Sequence, residues 1–211
     1  MNVDSRARAF DLVIFDLDDT LIDLDRERRL AHLSACTGLR PERIHAAIWD
    51  SDFERAAERG AHATGDDYLR GFNERLGVPV TRAQWVAARA AATRIRPPML
   101  DIVRDVRAHV PVALLTNNGA LLRESLPELV PEVCALITER RHASCDFLAR
   151  KPEPAVFTRL VGRYGVAPSR ALFVDDYAEY TDGALQAGLD AIRYESAPQV
   201  RAALVAKGIL D

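Results

Sequence analysis

The chain has 211 residues, 48% of them hydrophobic, with 28 Lys plus Arg against 31 Asp plus Glu. That is ample material for one globular domain carrying an insertion. The formal charge of -3 offers no basic footprint for nucleic acid. The three cysteines, Cys36, Cys134 and Cys145, follow no metal spacing and read as reduced thiols. The opening decapeptide has no apolar signal core, and no apolar run approaches the length of a membrane span. The expectation is a cytoplasmic protein with no membrane partner. Of the 28 basic residues only Lys151 and Lys207 are Lys and the rest are Arg, so a Lys in an informative position stands out.

The first apolar run, Leu12 to Phe15, is short and continuous, as suits a strand buried on both faces. From about Arg26 to Arg96 no strand pattern appears. The segments "RERRLAHLSAC", "RPERIHAAIWDSDFERAAE", "GDDYLRGFNERLG" and "TRAQWVAARAAATR" read as amphipathic helices, punctuated by Gly60, Gly65, Gly77 and Pro79. Pro97 and Pro98 suit a helix start after a linker. Further strands are expected at Val112–Leu115, Val133–Ile137, Ala171–Val174 and Ala191–Tyr194. Helical patterns lie between them: Met99, Ile102, Val103, Val106 and Val110, then Val156, Leu160 and Tyr164, then Ala184, Leu185 and Gly188. Strands alternating with helices argue a parallel sheet covered on both faces. The helical stretch is long enough for a small bundle of its own.

The polar residues of interest each lie close behind an expected strand or open the helix that follows one. In open α/β sheets that edge holds the ligand. "DLDDT" follows the first strand, "TNNG" the second and the Asp175–Asp176 pair the fourth, while "RKPEP" opens a helix between the third and fourth. Together they supply several carboxylates, a Lys and a Thr–Asn pair. Clustered carboxylates suit a hard cation such as Mg2+. A Lys and a small hydroxyl suit a phosphoryl group. One Asp can then attack phosphorus, and another, two residues on, can move protons.

These motifs, in this order, resemble the haloacid dehalogenase superfamily, dominated by Mg2+-dependent phosphatases. "FDLDDTL" resembles its first motif and implies Asp16 as nucleophile and metal ligand, with Asp18 as acid/base and main-chain metal ligand. "LLTNNG" resembles the second, so Thr116 and the Asn117 main chain are expected to bind phosphoryl oxygens. Lys151 in "RKPEP" resembles the third, steadying nucleophile and phosphate. "FVDDYAEYTDGALQAGLDAI" resembles the fourth, with Asp175 and Asp176 at the metal. The implied fold is α/β, a doubly wound parallel-sheet (Rossmannoid) core over residues 1–22 and 97–211, with a small all-helical cap over 23–96. The dehalogenating members lack an acid two residues after the nucleophile, so Asp18 implies phosphate chemistry. The "DD" pair and "GALQAGLDAI" resemble the subgroup of glucose-1-phosphatase-like enzymes and the phosphatase domain of epoxide hydrolase. That subgroup carries Asn where this chain has Tyr180, and Glu179 is the neighbour that could compensate.

The implied activity is hydrolysis of a small phosphorylated metabolite. A phosphomutase would use the same site, and a weakly active or non-catalytic phospho-ligand-binding protein is the non-enzyme alternative. A calcium-binding loop counted from Asp16 to Glu27 fails because Leu21 occupies the position where its sharp turn needs Gly. A phospho-accepting receiver domain lacks a helical insertion after its first strand. Asp19 reads as structural, and "NNG" at Asn117–Gly119 is also a turn and cap signal. Arg55, Arg59 and His62 could reach substrate, although a solvated helix face accounts for them as well.

Overall fold

The computed structural model describes residues 10–211. Four consecutive apolar residues form strand β1 (Leu12–Phe15), and every one is buried. This strand is the centre of a five-stranded sheet. Ordered in space, the strands are β5 (Arg141–Ala143), β4 (Val112–Thr116), β1, β6 (Ala171–Asp175) and β7 (Asp190–Arg193). Every pairing is parallel. The chain builds outward from β1 to β5 on one side and then returns to build β6 and β7 on the other. The order therefore reverses beside β1, where open α/β sheets form their crevice.

Alternate residues of each strand feed opposite faces. Val13, Phe15, Leu114, Leu172 and Val174 point into one core. It is closed by α6 (Pro97–Arg107), α7 (Ala120–Leu129), α8 (Pro131–Leu136) and α11 (Ala197–Ala206). Leu12, Ile14, Ala113, Leu115 and Phe173 point into the other, closed by α9 (Pro154–Arg163) and α10 (Ala178–Gln186). The sheet is thus covered on both faces, the α/β arrangement expected from the sequence.

Between β1 and α6 the chain makes a second, antiparallel pair, β2 (Ile22–Leu24) with β3 (Thr93–Ile95). This pair ties together the two ends of a helical segment. Its helices are α1 (Arg26–Thr37), α2 (Pro41–Ile48), α3 (Phe53–Glu58), α4 (Gly65–Leu76) and α5 (Arg82–Ala92). Helix α1 packs on α2 and α5, α2 on α4, and α4 on α7. No helix among the described residues is long and apolar enough to cross a membrane.

Three expectations need correction. The run Val133–Ile137 is not a strand: Pro131 opens helix α8 there, and the edge strand is Arg141–Ala143 instead. A short apolar run fits a buried helix as well as a strand, and Val133 and Ile137 bury on the same face. Helix α5 stops at Ala92, and β-branched Thr93 and Ile95 pair with β2. "RPERIHAAIWDSDFERAAE" is two helices rather than one. The Ser51 hydroxyl donates to Ala47 O at 2.8 Å and accepts from the Phe53 N–H at 3.2 Å, turning the chain between α2 and α3.

One glycine is required by a close approach. A Cβ at Gly183, in α10, would lie 2.2 Å from the Pro152 carbonyl oxygen. Gly183→Ala should therefore push α10 away from the Lys151–Pro152 loop. A destabilisation of about 1–3 kcal/mol is expected in urea unfolding, and an unchanged midpoint would show that the loop yields freely.

Candidate active site

Strands β1, β4 and β6 end side by side, and each carries a polar residue at or just past its last position. Asp16 follows β1, Thr116 ends β4 and Asp175 ends β6; all three are buried. Their alignment follows from the parallel register, which pairs Phe15 with both Leu114 and Val174. Lys151, from the loop before α9, inserts among them and is only 1% exposed. Its Nζ donates to Asp16 Oδ1 and Asp175 Oδ2, both at 2.6 Å. Burial works against the ammonium charge, but the two carboxylates outweigh it and hold the Lys151 pKa above its ordinary value.

The loop bearing Lys151 is itself clamped. Asn117 Nδ2 donates to the Lys151 carbonyl and Asn117 Oδ1 accepts from the Lys151 N–H, both at 2.9 Å. The Asn117 side chain is thus committed to the loop, which leaves its main chain for a ligand. Asn118 Nδ2 donates to Thr116 Oγ1 at 2.8 Å and lies 3.4 Å from Asp18 Oδ2. The turn that reads as a simple "NNG" signal therefore joins three of the site residues.

Asp16, Asp175 and Asp176 each bring a carboxylate oxygen within 4.8 Å of the others. Burial raises the Asp16 carboxyl well above its usual range, and Asp175 and Asp18 add to the effect while Lys151 opposes it. Burial also raises Asp176, again with help from Asp175. An all-oxygen donor set with excess negative charge fits a hard divalent cation, which would favour the ionised forms. The Asp18 side chain lies outside this group. Its carboxylate is ion-paired with Arg89, which is 2% exposed. The Asp18 carboxylate is therefore not part of that donor set. Asp19 has a left-handed backbone, φ 62°. Its carboxylate accepts from the Leu24 N–H at 3.2 Å and from Arg26 at 2.8 Å, so it shapes the turn.

The site opens into a cavity of about 170 Å³ whose far wall belongs to the helical segment. Arg29, Trp49, Glu54, Glu58 and Arg89 line that wall. None was singled out from the sequence. The available signal was positional: Arg29 shares the buried stripe of α1 with Leu33, and Arg89 shares that of α5 with Trp85. Arg55, Arg59 and His62 do not line the cavity. Arg55 pairs with Asp52 on the surface, Arg59 binds Glu153 at 2.6 Å, and His62 packs its ring on Phe53 and Tyr68. Tyr180 lines the cavity with its ring centroid 5.0 Å from Lys151 Nζ, a cation–π contact, while Glu179 is exposed.

A parallel sheet with acids and a buried Lys at the carboxyl ends of its strands places a charged site where open α/β folds bind their ligands. The chain belongs to the haloacid dehalogenase-like hydrolase family, which matches residues 10–188. Its fold is similar to that of a haloacid dehalogenase (HAD) family enzyme from Bacteroides thetaiotaomicron, solved in complex with magnesium and inorganic phosphate. The two are 22% identical with a TM-score of 0.71, over 88% of this chain and 94% of that one. A predicted HAD-like family hydrolase from Porphyromonas gingivalis is 19% identical, with a TM-score of 0.77 over 93% and 98%. The L-2-haloacid dehalogenase of Xanthobacter autotrophicus, with chloropropionic acid covalently bound, is also 19% identical. Its TM-score is 0.58 over 96% and 85%.

Glu58 yields a pH signature. Burial raises its carboxyl from 4.5 to about 7, and its ion pair with Arg150 offsets this only in part. Between those values the folded chain keeps a proton that the unfolded chain releases. Stability from this group therefore falls as pH rises through the window. Glu58→Gln should flatten the dependence of the urea midpoint on pH from 4.5 to about 7. An unchanged slope would mean that Glu58 is already ionised in the folded chain.

Proposed function

We propose that this hydrolase is a Mg2+-dependent phosphatase that acts on a small phosphorylated metabolite through an aspartyl-phosphate on Asp16. The observation that carries the reading is the buried Lys151 ammonium, 2.6 Å from both Asp16 and Asp175. A cation held there offsets the negative charge that a phosphoryl group brings to an acidic site. Magnesium bound by Asp16, Asp175, Asp176 and the Asp18 main-chain carbonyl would neutralise further phosphoryl charge. The magnesium and phosphate held by the Bacteroides enzyme of similar fold support the assignment.

In this reading Thr116, the Asn117 main chain and Lys151 hold the phosphoryl oxygens and aim phosphorus at Asp16. The free Asp16 oxygen attacks, the ester P–O bond breaks, and the departing oxygen takes up a proton that Asp18 passes to it from solvent. The alcohol leaves. Asp18, now ionised, takes a proton from water as that water attacks phosphorus; the bond to Asp16 breaks and inorganic phosphate forms. Arg89 is a positioning residue that holds the Asp18 carboxylate at the cavity. Asp18 favours this chemistry over halide displacement, which needs no leaving-group protonation. The helical segment 23–96 serves as a cap over a core of residues 1–22 and 97–211, of which 1–9 lie outside the described residues, and its wall selects the leaving group. Free thiols and a net charge of -3 suit a cytoplasmic enzyme of small metabolites.

Purified protein with Mg2+ should hydrolyse a generic aryl phosphate and lose that activity in EDTA. Asp16→Asn should abolish turnover, and Asp18→Asn should lower it about 10²–10⁴-fold. Mg2+ should raise the melting temperature of the wild type and much less that of Asp175→Asn, because a ligand that binds only the folded state stabilises it. Turnover by Asp16→Asn at the wild-type rate would overturn the nucleophile assignment.

A further inference from the structure

The cavity wall contains a buried charge without a hydrogen bond. Arg29 is 7% exposed, and its Nε is buried with no partner. The neighbours of its guanidinium are aromatic faces: the Trp49 and Trp85 ring centroids lie 4.9 and 5.1 Å from its Cζ. Ring faces attract a cation but give its in-plane N–H groups no lone pair to bind. Two carboxylates are near, but neither accepts a hydrogen bond from it. Asp18 is paired with Arg89. Glu54 influences Arg29 through space but accepts its hydrogen bond from the Tyr68 hydroxyl.

A buried guanidinium with idle donors is costly unless something pairs with it. Burial and the nearby Arg89 already lower its pKa, yet a guanidinium stays charged. Arg29 and Lys151 line one cavity of about 170 Å³, room for a phosphoryl group plus a few more heavy atoms.

Resting on the phosphatase reading, we infer that Arg29 receives a second anionic group at the far end of the substrate. The substrate class is then a short phosphomonoester whose leaving group carries a carboxylate or a second phosphoryl. The planar fork of Arg suits either one. Arg29 sets specificity while the residues around Lys151 set the chemistry.

Non-hydrolysable phosphonates separate this inference from the phosphatase reading, because their binding needs no turnover. Calorimetry with Mg2+ would compare propylphosphonate, 3-phosphonopropionate and propane-1,3-diphosphonate on the wild-type protein. One or both of the doubly anionic probes should bind about tenfold or more tightly than propylphosphonate, the value of one charged hydrogen-bonded contact. The stronger of the two identifies the group. Arg29→Met should erase the difference, and Arg29→Lys should retain part of it. Equal binding of all three by the wild type, or binding of none, would overturn the inference whatever the variants do. Failure of aryl phosphate hydrolysis would count against the phosphatase reading alone.

Discussion

The Lys151 ammonium between Asp16 and Asp175 is the constraint around which the molecule is arranged. Three acids at the ends of adjacent strands repel one another, and burial penalises each charge further. One ammonium, 2.6 Å from two of them, makes their convergence tolerable. Its position depends on parts distant in the chain. Asn117 clamps the Lys151 main chain from the end of β4, and α10 approaches Pro152 so closely that only Gly183 fits. The aromatic rings of Phe173 and Tyr180 lie 5.3 and 5.0 Å from the ammonium. Much of the machinery of the carboxyl edge exists to place one side chain.

The helical segment shares one apolar cluster with the sheet domain, and polar contacts tie it to this edge as well. Arg89 pairs with Asp18, Glu58 with Arg150, Arg59 with Glu153 and Arg82 with Glu124. The Gly65 N–H donates to Glu124 at 2.7 Å, and the Ser144 hydroxyl donates to the Glu58 carbonyl at 2.8 Å. The exposed pairs contribute little. Arg89–Asp18 is different, because removing either partner leaves a buried charge uncompensated. That pair couples the wall of the cavity to the residue that would move protons, and Arg29 lies one step further along the same wall.

The departures from the expected elements share a cause. Val133–Ile137 has the composition of a strand, but Pro131 and the apolar spacing suit a helix once α6 and α7 offer a surface to cover. The β2–β3 pair is invisible locally, since three-residue strands 70 positions apart find each other only when the helices between them have folded back. The division of α2 from α3 depends on one hydroxyl, Ser51, whose bonding is a property of the turn.

The sequence by itself determined the parallel α/β architecture and the residues that meet at its edge. Continuous apolar runs must be buried on both faces, and polar residues just behind such strands have only one edge to occupy. Asp16, Thr116, Lys151 and Asp175 converge for that reason, and the order of their motifs is enough to name the family. Only the tertiary structure decided what each does with its neighbours: that Asp18 turns from the other acids towards Arg89, that the Asn117 side chain serves the loop, and that Tyr180 covers the Lys. It also decided that Arg29 is buried without a hydrogen bond. In a chain whose basic residues are nearly all Arg, nothing local distinguishes one arginine from another. Helix packing separates them, because it sends some to water and buries two, Arg29 and Arg89, in the cavity wall.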